Sequence, residues 1–475
     1  MTYRIRFLFS ALPVALLIWI GYETLWAQTT GNMVQNVEKT HVIASDSLPN
    51  FWLGGIQMNE PDMKNWVRTI QEVGMNTVEV TVYAQQGRWN ENNLWFYDVD
   101  PHTLSEIRAA HAQGLRVILI LRLQLDHAFP ANKFLWHGQV LPENDYFIHR
   151  WFEQYTRFVR QWARVAEQEN IDVLVLGSEM NALASSADVQ EVPNLEAYFL
   201  NETVQAIYKR KMMRFQDRLV EKHLGVHGAK NYTDLEKYLD DRKAHQQKWA
   251  HIAACTDSID PLKAIRRRRA MLNYYWERLI EDTRRQYSGL LSYAANFDNY
   301  MEVGFWDRLD LIGINAYFPL RNYKQSPANP KKFRKALQES WEKILQELLE
   351  FRAKDSLGNR AFLFTELGYG RHAGATLTPW QGFGYSLLEG LKRDSLIVWD
   401  RQPDFQTERN MAVRTLHQAV QTQKFPLAGL LYWKLTTLES QLKYDPFALH
   451  LGKDSKDTLQ SILGKFSTLK RPESK

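Results

Sequence analysis

The sequence predicts a (β/α)8 barrel, an α/β fold in which eight parallel strands alternate with helices. Short apolar runs alternate with helical patterns from about residue 50 onward. The runs are almost continuously hydrophobic, as expected for parallel strands that are covered on both faces. Eight of them fit one domain in a chain of 475 residues. A doubly wound open sheet is the alternative, but no glycine-rich phosphate loop follows the first run.

The eight predicted strands follow one another along the chain. In order they read FWLGGIQM, NTVEVTVYA, LRVILILRLQL, DVLVLGSE, GLLSYAANF, DLIGINAYFPL, AFLFTELGYG and LAGLLYWKL. The second is rich in β-branched residues, which favour strands over helices. This order predicts that the carboxyl ends of all eight strands meet at one end of the barrel.

Helical patterns separate most of these runs. Pro61 and Gly74 bracket the first helix, because proline suits a first helical turn and glycine suits a C-terminal stop. Asp100, Pro101 and Gly114 mark the second helix in the same way. Further helices are predicted at about 145–169, 270–287, 329–354, 405–422 and 456–469.

A long segment between the fourth and fifth runs does not fit the period. With the barrel helix at 270–287 set aside, residues from about 189 to 269 form an insertion that is helical in pattern and highly charged. It leaves from the C-terminal face of the barrel, where active sites of this fold lie. We expect it to cover a cleft, to bind a protein partner, or to form a solvated helical decoration.

The N-terminus predicts export. Two arginines precede an apolar run from Phe7 to about Tyr22, which is short for a membrane-spanning helix. Ala27 offers a small residue at which a signal peptidase can cleave. An uncleaved membrane anchor is the alternative, and either one implies a periplasmic, extracellular or membrane-anchored domain. The predicted division is 1–27 as signal peptide or anchor, 28–48 as linker and 49–475 as the barrel domain.

The composition argues against several classes of function. The net charge of +5 is too small to favour nucleic acid, and the basic run 266–269 spreads around a helix axis. The single cysteine, Cys255, excludes an intramolecular disulfide, and no Cys/His cluster has the spacing of a zinc site. We therefore expect no metal, no other cofactor and no nucleic acid partner.

Two glutamates stand where the active site of such a barrel is built. The fourth strand ends in Ser178 and Glu179, and the seventh ends in Glu366. Side chains from these strand ends converge across the mouth, and glycoside hydrolysis needs two carboxylates that flank one bond. One carboxyl group donates a proton to the leaving oxygen while the other attacks the anomeric carbon. A helix cap or a salt bridge is the alternative for either glutamate alone.

Other polar and aromatic residues at the strand ends are candidates for substrate contacts. Tyr317 offers a hydrogen bond to Glu366, and Trp433 offers a flat apolar face to a sugar ring. Packing within the barrel is the alternative for both. The remaining candidates for sugar contacts are Asn296, Asn315, Ser178 and Trp380. Weaker candidates, for which packing or solvation is the alternative, follow the third strand at Asp126, His127, Trp136 and His137.

Several motifs resemble glycoside hydrolase family 113, a family of clan A that is known for β-mannanases. The resemblance is carried by SYAANFDNY, FWDRLDLIGINAYFPL, FLFTELGYG and LLYWKL, and it spans about Phe51 to Leu435 apart from the insertion. It implies retaining hydrolysis of a β-linked glycan, with Glu179 as acid/base and Glu366 as nucleophile. Two positions depart from the expected pattern.

The departures lie beside the two glutamates. Ser178 stands where clan members have an asparagine that contacts the 2-hydroxyl of the sugar. Asn315 stands where the pattern GIDAYFPL of the family has aspartate. Both changes weaken the prediction of which sugar is bound more than the prediction of the reaction type.

The implied roles set an electrostatic expectation. Glu179 must be protonated near neutral pH, and the charge of Glu366 together with partial burial is expected to raise its pKa. Esterification of Glu366 removes that charge, so Glu179 then serves as a base. The leading hypothesis is a β-mannanase-like glycosidase that takes an oligo- or polysaccharide. The alternative is a catalytically weak or inactive barrel that binds glycan, or assembles with a partner, through its insertion.

Overall fold

Eight strands form a closed parallel barrel in the computed structural model. They are β1 (Trp52–Gln57), β2 (Thr77–Gln86), β3 (Arg116–Leu125), β4 (Val173–Ser178), β5 (Leu290–Asn296), β6 (Leu311–Asn315), β7 (Ala361–Leu367) and β8 (Leu427–Thr436). Each strand pairs in parallel with the next, and β8 pairs with β1 to close the ring. The predicted fold class is confirmed.

The structure describes residues 51–187, 202–216, 234–322, 328–353, 357–382, 384–389, 395–400 and 404–469. The predicted signal segment and linker lie outside these residues. Among the helices within them, none is long and apolar enough to cross a bilayer.

The burial of the strands explains their continuous hydrophobicity. Every residue of β4, β5, β6 and β7 is buried, because inward side chains fill the barrel and outward side chains meet the helices. A fully buried aliphatic side chain contributes about 1.5–3 kcal/mol relative to an exposed one. The cluster that fills the interior includes Trp52, Ile118, Ile120, Val173, Val175, Leu311, Leu363 and Leu431.

Nine helices of six or more residues alternate with the strands or belong to the insertion within the described residues. They are α1 (Met63–Glu72), α2 (Pro101–Ala112), α3 (Asp145–Gln168), α4 (Glu202–Met213), α5 (Leu235–Ala253), α6 (Pro261–Arg284), α7 (Pro330–Ala353), α8 (Gln406–Gln423) and α9 (Leu459–Gly464). Side chains that cap the first backbone N–H groups start several of them, at about 1 kcal/mol per cap. These caps are Asp62, Asp100, Asn144, Asp234 and Asp260.

One helix boundary differs from the sequence-based expectation, and two connections add to it. The helix α6 begins at Pro261 rather than near residue 270, because Asp260 caps it and proline suits its first turn. Between β5 and β6, where no helix was predicted, the chain makes two short 3-10 turns. An antiparallel hairpin, formed by Gly384–Glu389 and Ser395–Asp400, lies between β7 and α8.

The insertion contributes α4 and α5 within the described residues. The helix α5 packs on the loop that follows β3, where the Trp249 indole N–H donates to the Gln139 carbonyl at 2.8 Å. The basic run 266–269 belongs to the barrel helix α6, and Arg269 pairs there with Glu302 at 3.0 Å. The expectation of a protein partner at the insertion stays a prediction.

Candidate active site

The carboxyl ends of β4 and β7 place Glu179 and Glu366 at the same end of the barrel. Glu366 lies within β7 and is 3% exposed. Glu179 comes directly after β4, and its backbone N–H donates to the carbonyl of Ala294 in β5 at 2.9 Å. Its φ of +53° lies in the left-handed region, which costs a non-glycine residue about 1–2 kcal/mol. The neighbouring strand therefore holds Glu179 in an unusual orientation.

Three donors converge on the Glu366 carboxylate. Arg122 contacts Oε1 at 2.5 Å, the Asn315 amide donates to the same oxygen at 3.0 Å, and the Tyr317 hydroxyl donates to Oε2 at 2.5 Å. Burial raises the pKa of Glu366, whereas Arg122 and Tyr317 act against that rise by stabilising the charged form. The donors also fix the direction in which both oxygens point.

Arg122 joins Glu366 to a second buried carboxyl group. It contacts Glu79 Oε1 at 3.1 Å and donates to the Ser178 hydroxyl at 3.1 Å. Burial raises the pKa of Glu79 to about 8, although Arg122 opposes the rise. The other oxygen of Glu79 has no hydrogen-bond partner among the described residues, which further disfavours its ionised form. Near neutral pH Glu79 therefore favours its neutral form, and Glu366 is the main ionic partner of Arg122.

Sequence reasoning missed both Arg122 and Glu79. Each is a charged residue between two aliphatic neighbours in a strand, and each is almost fully buried. Charged side chains are buried in this way only when they are paired, so a charge inside an apolar run is the signal that was available. The signal predicts a partner but does not identify it.

Glu179 has a different environment from Glu366. Its side chain is 15% exposed, and its Oε2 lies 3.3 Å from His137 Nε2. Burial favours the neutral carboxyl, but His137, Arg122 and Asn315 together lower the pKa of Glu179 below its usual value. The expected rise of this pKa is therefore not found in the free site. His137, which the sequence pattern did not place beside Glu179, stabilises the carboxylate.

The two departures from the family pattern contact each other. Asn315 is fully buried, and its amide nitrogen donates to Ser178 Oγ at 3.2 Å as well as to Glu366. Its Oδ1 accepts a hydrogen bond from Thr365 at 2.8 Å. Aspartate at this position would have no amide donor for Glu366. In the free site Asn315 and Ser178 thus organise the carboxylates, and their expected sugar contacts stay predictions.

The remaining predicted residues lie at the strand ends with different exposures. Trp433 is half-buried, with the Arg122 guanidinium 5.1 Å and the Lys434 ammonium 4.7 Å from its ring centre. Asn296 is buried at the end of β5. Trp380 is 46% exposed and stacks on Phe297 at 5.2 Å. The structure leaves their roles in sugar binding as predictions.

Two further exposed aromatic residues lie near the carboxylates. Tyr83 follows Glu79 on the same face of β2, is 43% exposed, and interacts electrostatically with Arg122 and Glu366. Trp136 is 37% exposed and packs edge-on against His137 at 4.9 Å. Sequence reasoning did not single out Tyr83. It lies four residues beyond Glu79, so the alternation of side chains along a strand puts both on the inward face.

The described part of the chain holds no group of three or more His, Cys, Asp or Glu side chains arranged to bind a metal ion. The chemistry of the mouth consists of three carboxyl groups, an arginine between Glu79 and Glu366, an imidazole against Glu179, and aromatic rings nearby. A closed (β/α)8 barrel with this mouth defines the class of the protein, which is that of the glycoside hydrolases.

The family follows from the sequence. The sequence model of Glycoside Hydrolase Family 113 matches residues 55–223 and 231–390, which is more than half of the chain. The protein belongs to this family, and the resemblance read from the motifs is confirmed. Among curated proteins none matches the chain.

Solved structures of the same family share the fold. A complex structure of a GH113 β-1,4-mannanase has a TM-score of 0.53 at 15% identity, covering 89% of this chain and 100% of that one. The GH113 β-mannanase AaManA from Alicyclobacillus acidocaldarius, in complex with ManMIm, has a TM-score of 0.53 at 14% identity. That match covers 90% of this chain and 99% of the other. At such identities the likeness shows the fold alone.

Proposed function

We propose that the protein is a retaining β-mannanase-like glycosidase, with Glu366 as nucleophile and Glu179 as acid/base. The observation that carries the proposal is the set of three donors aimed at Glu366, which favour its charged form and orient it. A nucleophilic carboxylate must be ionised and held in line with the anomeric carbon. A carboxylate that served only as a helix cap would not need an arginine, an amide and a phenol.

In the first half of the proposed reaction Glu366 attacks the anomeric carbon. An oxygen of Glu366 bonds to that carbon while its bond to the leaving oxygen breaks, and Glu179 transfers its proton to the leaving oxygen. Before the attack, Arg122 and Tyr317 hold Glu366 in its charged form and orient its attacking oxygen. The sugar displaces water from the mouth, which strengthens the effect of the Glu366 charge on Glu179 and favours the protonated acid.

In the second half water releases the sugar. The ester removes the charge of Glu366, so Glu179 loses the repulsion that favoured its protonated form. As a carboxylate it takes a proton from water while the water oxygen bonds to the anomeric carbon. The electron pair of the ester bond returns to Glu366, and the configuration at carbon is retained after two inversions.

The substrate class rests on the family and on the aromatic surfaces. The structures of the family that resemble this chain are named as β-1,4-mannanases, which supports a β-1,4-linked mannan or its oligosaccharides as substrate. Exposed rings of Trp380, Tyr83 and Trp136, with the half-buried Trp433, suit stacking on sugar faces. A barrel that only binds glycan is less well supported, since binding needs no charged nucleophile.

We also propose that the domain acts outside the cytoplasm. The N-terminal pattern of positive charge, apolar run and small residue supports a signal peptide or an anchor. Mass spectrometry of the protein purified from a periplasmic or secreted fraction tests the proposal. Cleavage near Ala27 supports a signal peptide, an intact N-terminus in a membrane fraction supports an anchor, and confinement to the cytoplasm contradicts both.

The test of the catalytic proposal uses Glu366→Ala with β-1,4-mannopentaose and a 2,4-dinitrophenyl β-mannobioside. We expect turnover to fall by about 10⁴ or more, and azide to restore release of dinitrophenol with an α-mannobiosyl azide as product. Glu153→Ala, which alters an exposed glutamate on α3, is the matched control. A Glu366→Ala enzyme that hydrolyses both substrates without azide would contradict the assignment.

A further inference from the structure

The loop after β3 connects the helical insertion to the mouth of the barrel. It carries His137, whose Nε2 lies 3.3 Å from Glu179 Oε2, and whose side chain is 31% exposed. The next residue, Gly138, runs directly against the end of β4. A Cβ atom at Gly138 would lie 2.8 Å from the Glu179 carbonyl and 2.3 Å from the Trp136 ring. The approach of His137 to Glu179 therefore depends on a glycine.

The backbone of Glu179 is turned and held for this contact. Its left-handed φ of +53° is maintained by the hydrogen bond from its N–H to Ala294. The following N–H, of Met180, donates to the buried Tyr293 hydroxyl at 3.0 Å. A non-glycine residue keeps such a conformation only when its surroundings enforce it, and strained residues of this kind cluster at functional sites.

The helix α5 of the insertion fastens the other side of the loop. The buried Trp249 indole donates to the Gln139 carbonyl at 2.8 Å, two residues beyond His137. The His245 ring contacts the Pro130 carbonyl at 3.1 Å. The Phe134 ring lies 5.2 Å from the His245 ring and packs edge-on against it. The insertion thus contacts the loop at its start, middle and end.

We propose that His137 is a positioning residue that donates a hydrogen bond to Glu179 and favours its carboxylate form, and that α5 holds His137 in place through Trp249. This inference rests on the proposed function and deepens it. The carboxylate is the form of Glu179 that acts in the second half of the reaction. There it accepts one proton from water as the ester of Glu366 is cleaved, and no proton of His137 is transferred in this step.

The other groups around Glu179 do not replace His137. Arg122 is engaged by Glu366 and Glu79, and the Tyr317 hydroxyl donates to Glu366. Anionic neighbours disfavour the carboxylate of Glu179 rather than stabilise it. The titratable groups that interact with Glu179 from the surrounding elements are Arg122, His137, Tyr293, Asp298, Tyr317 and Glu366.

The pKa of Glu179 agrees with this geometry. Burial acts to raise the pKa, and the hydrogen bond and charge of His137 are the strongest influences that lower it, followed by Arg122. Loss of the imidazole therefore raises the pKa of Glu179 and makes the carboxylate form appear only at higher pH. A base that acts in the second half of the reaction then becomes limiting at low pH.

The experiment separates the two half-reactions with 2,4-dinitrophenyl β-mannobioside. Its leaving group needs no acid, so kcat/KM reports attack by Glu366 and kcat reports hydrolysis of the intermediate. For His137→Phe we expect kcat to fall by about tenfold and kcat/KM to change by less than about twofold. The acidic limb of kcat moves to higher pH. Azide, which needs no base, restores kcat.

A second variant distinguishes positioning from a general packing role. His137→Gln carries an amide donor that can reach Glu179, so we expect it to recover most of the kcat lost in His137→Phe. A packing role would lower kcat and kcat/KM alike, without rescue by azide or glutamine, and would overturn the inference. The control is His149→Phe, because His149 also lies 3.4 Å from a glutamate, Glu153, but on the outer helix α3.

The role of α5 is tested with Trp249→Phe, which keeps an aromatic ring and removes the donor to Gln139. We expect the same pattern as for His137→Phe, with kcat reduced by about threefold. Thermal unfolding is measured in parallel, so that a general loss of structure is recognised. An unchanged kcat in a Trp249→Phe enzyme with His137→Phe still impaired would overturn the part assigned to the insertion.

Failure of this inference is distinguishable from failure of the proposed function. A wild-type protein that is inactive on both mannosides, or an active Glu366→Ala variant, contradicts the catalytic assignment itself. If Glu366→Ala is inactive and rescued by azide while His137→Phe keeps the wild-type kcat and pH profile, only the role of His137 is overturned.

Discussion

Two carboxyl groups of the mouth are supported by different parts of the molecule. Glu366 is almost fully buried and is held by donors from the strands β3 and β6 and by Tyr317, which follows β6. Glu179 is more exposed, and its partner His137 comes from a loop that the insertion fastens. In the proposed roles, Glu366 as nucleophile gains from a rigid scaffold, whereas Glu179 as acid/base must exchange its proton twice in each cycle. The difference teaches that one barrel end can combine a carboxylate held by the strands, Glu366, with an adjustable carboxylate, Glu179, whose protonation depends on a loop residue.

The largest expected effect comes from removing the cation on the nucleophile side. Arg122→Met leaves Glu366 and Glu79 without their buried partner, which typically costs about 3–5 kcal/mol of unfolding free energy. We expect kcat/KM on mannopentaose to fall by about 10³ or more, because the pKa of Glu366 rises. Urea unfolding and steady-state kinetics check both.

The matched control is Arg160→Met, which breaks an ion pair with Asp282 on the outside of the barrel, where Arg160 is 47% exposed. Exposed pairs contribute at most about 1 kcal/mol, so activity should persist. If Arg122→Met and Arg160→Met lower the free energy of unfolding equally, the buried network contributes no more to stability than the surface pair.

The second effect tests the adjustable carboxylate. Glu179→Ala should lower kcat/KM on mannopentaose by about 10³, because the sugar leaving group needs a proton. On 2,4-dinitrophenyl β-mannobioside the change in kcat/KM should be less than about tenfold, while kcat falls and azide restores it. Equal losses on both substrates would remove the assigned acid/base role and with it the contrast between the two glutamates.

A third prediction concerns the proton on Glu79. Burial raises its pKa to about 8, so the folded state binds this proton more tightly than the unfolded chain. The stabilisation is fully present below about pH 4.5 and is lost as pH rises through about 8. Each pKa unit corresponds to about 1.4 kcal/mol, so the total is a few kcal/mol. Glu79→Gln should remove this part of the pH dependence in urea unfolding measured from pH 4.5 to 8.5.

Glu106→Gln offers a comparison, since burial also raises the pKa of Glu106, to about 7, away from the two catalytic candidates. Its pH dependence should therefore end at lower pH than that of Glu79. If the wild-type and Glu79→Gln proteins show the same unfolding profile, Glu79 is ionised in the fold, and Arg122 must be shared between two charged partners.

The smallest effect is expected at Tyr317. Tyr317→Phe removes the 2.5 Å hydrogen bond to Glu366 and keeps the ring in place. Since this bond opposes the rise in the pKa of Glu366, its loss raises that pKa further, moves the limb of the kcat/KM profile that reports Glu366 to higher pH, and lowers kcat/KM by about tenfold. The limb that reports Glu179 should stay where it is. A shift of both limbs would indicate that the two carboxyl groups are less independent than their supports suggest.

The predictable part of the fold lies in the strands. All eight apolar runs are barrel strands, because burial on both faces favours hydrophobic residues at most positions. The hairpin before α8 was not predicted, since it does not change the order of the barrel strands that the pattern reveals. The start of α6 was misplaced because the charged run 266–269 resembles the insertion that precedes it.

The candidate site was predicted in its acids but not in their partners. Glu179 and Glu366 stand at the ends of apolar runs, so the sequence alone predicts their position at the barrel mouth. Arg122 and His137 carry no local mark of the glutamate that each contacts. For this reason the sequence predicted a raised pKa for Glu179, whereas the structure gives a lowered one.

The sequence by itself determined the order of the strands and therefore which carboxyl groups share one end of the barrel. Parallel closure forces all strand ends to one rim, whatever the side chains there contact. Only the tertiary structure decided that Arg122 lies against Glu366 and that His137 lies against Glu179. These contacts join residues that are distant in the chain, and the energies of buried charges depend on distances that no periodicity encodes.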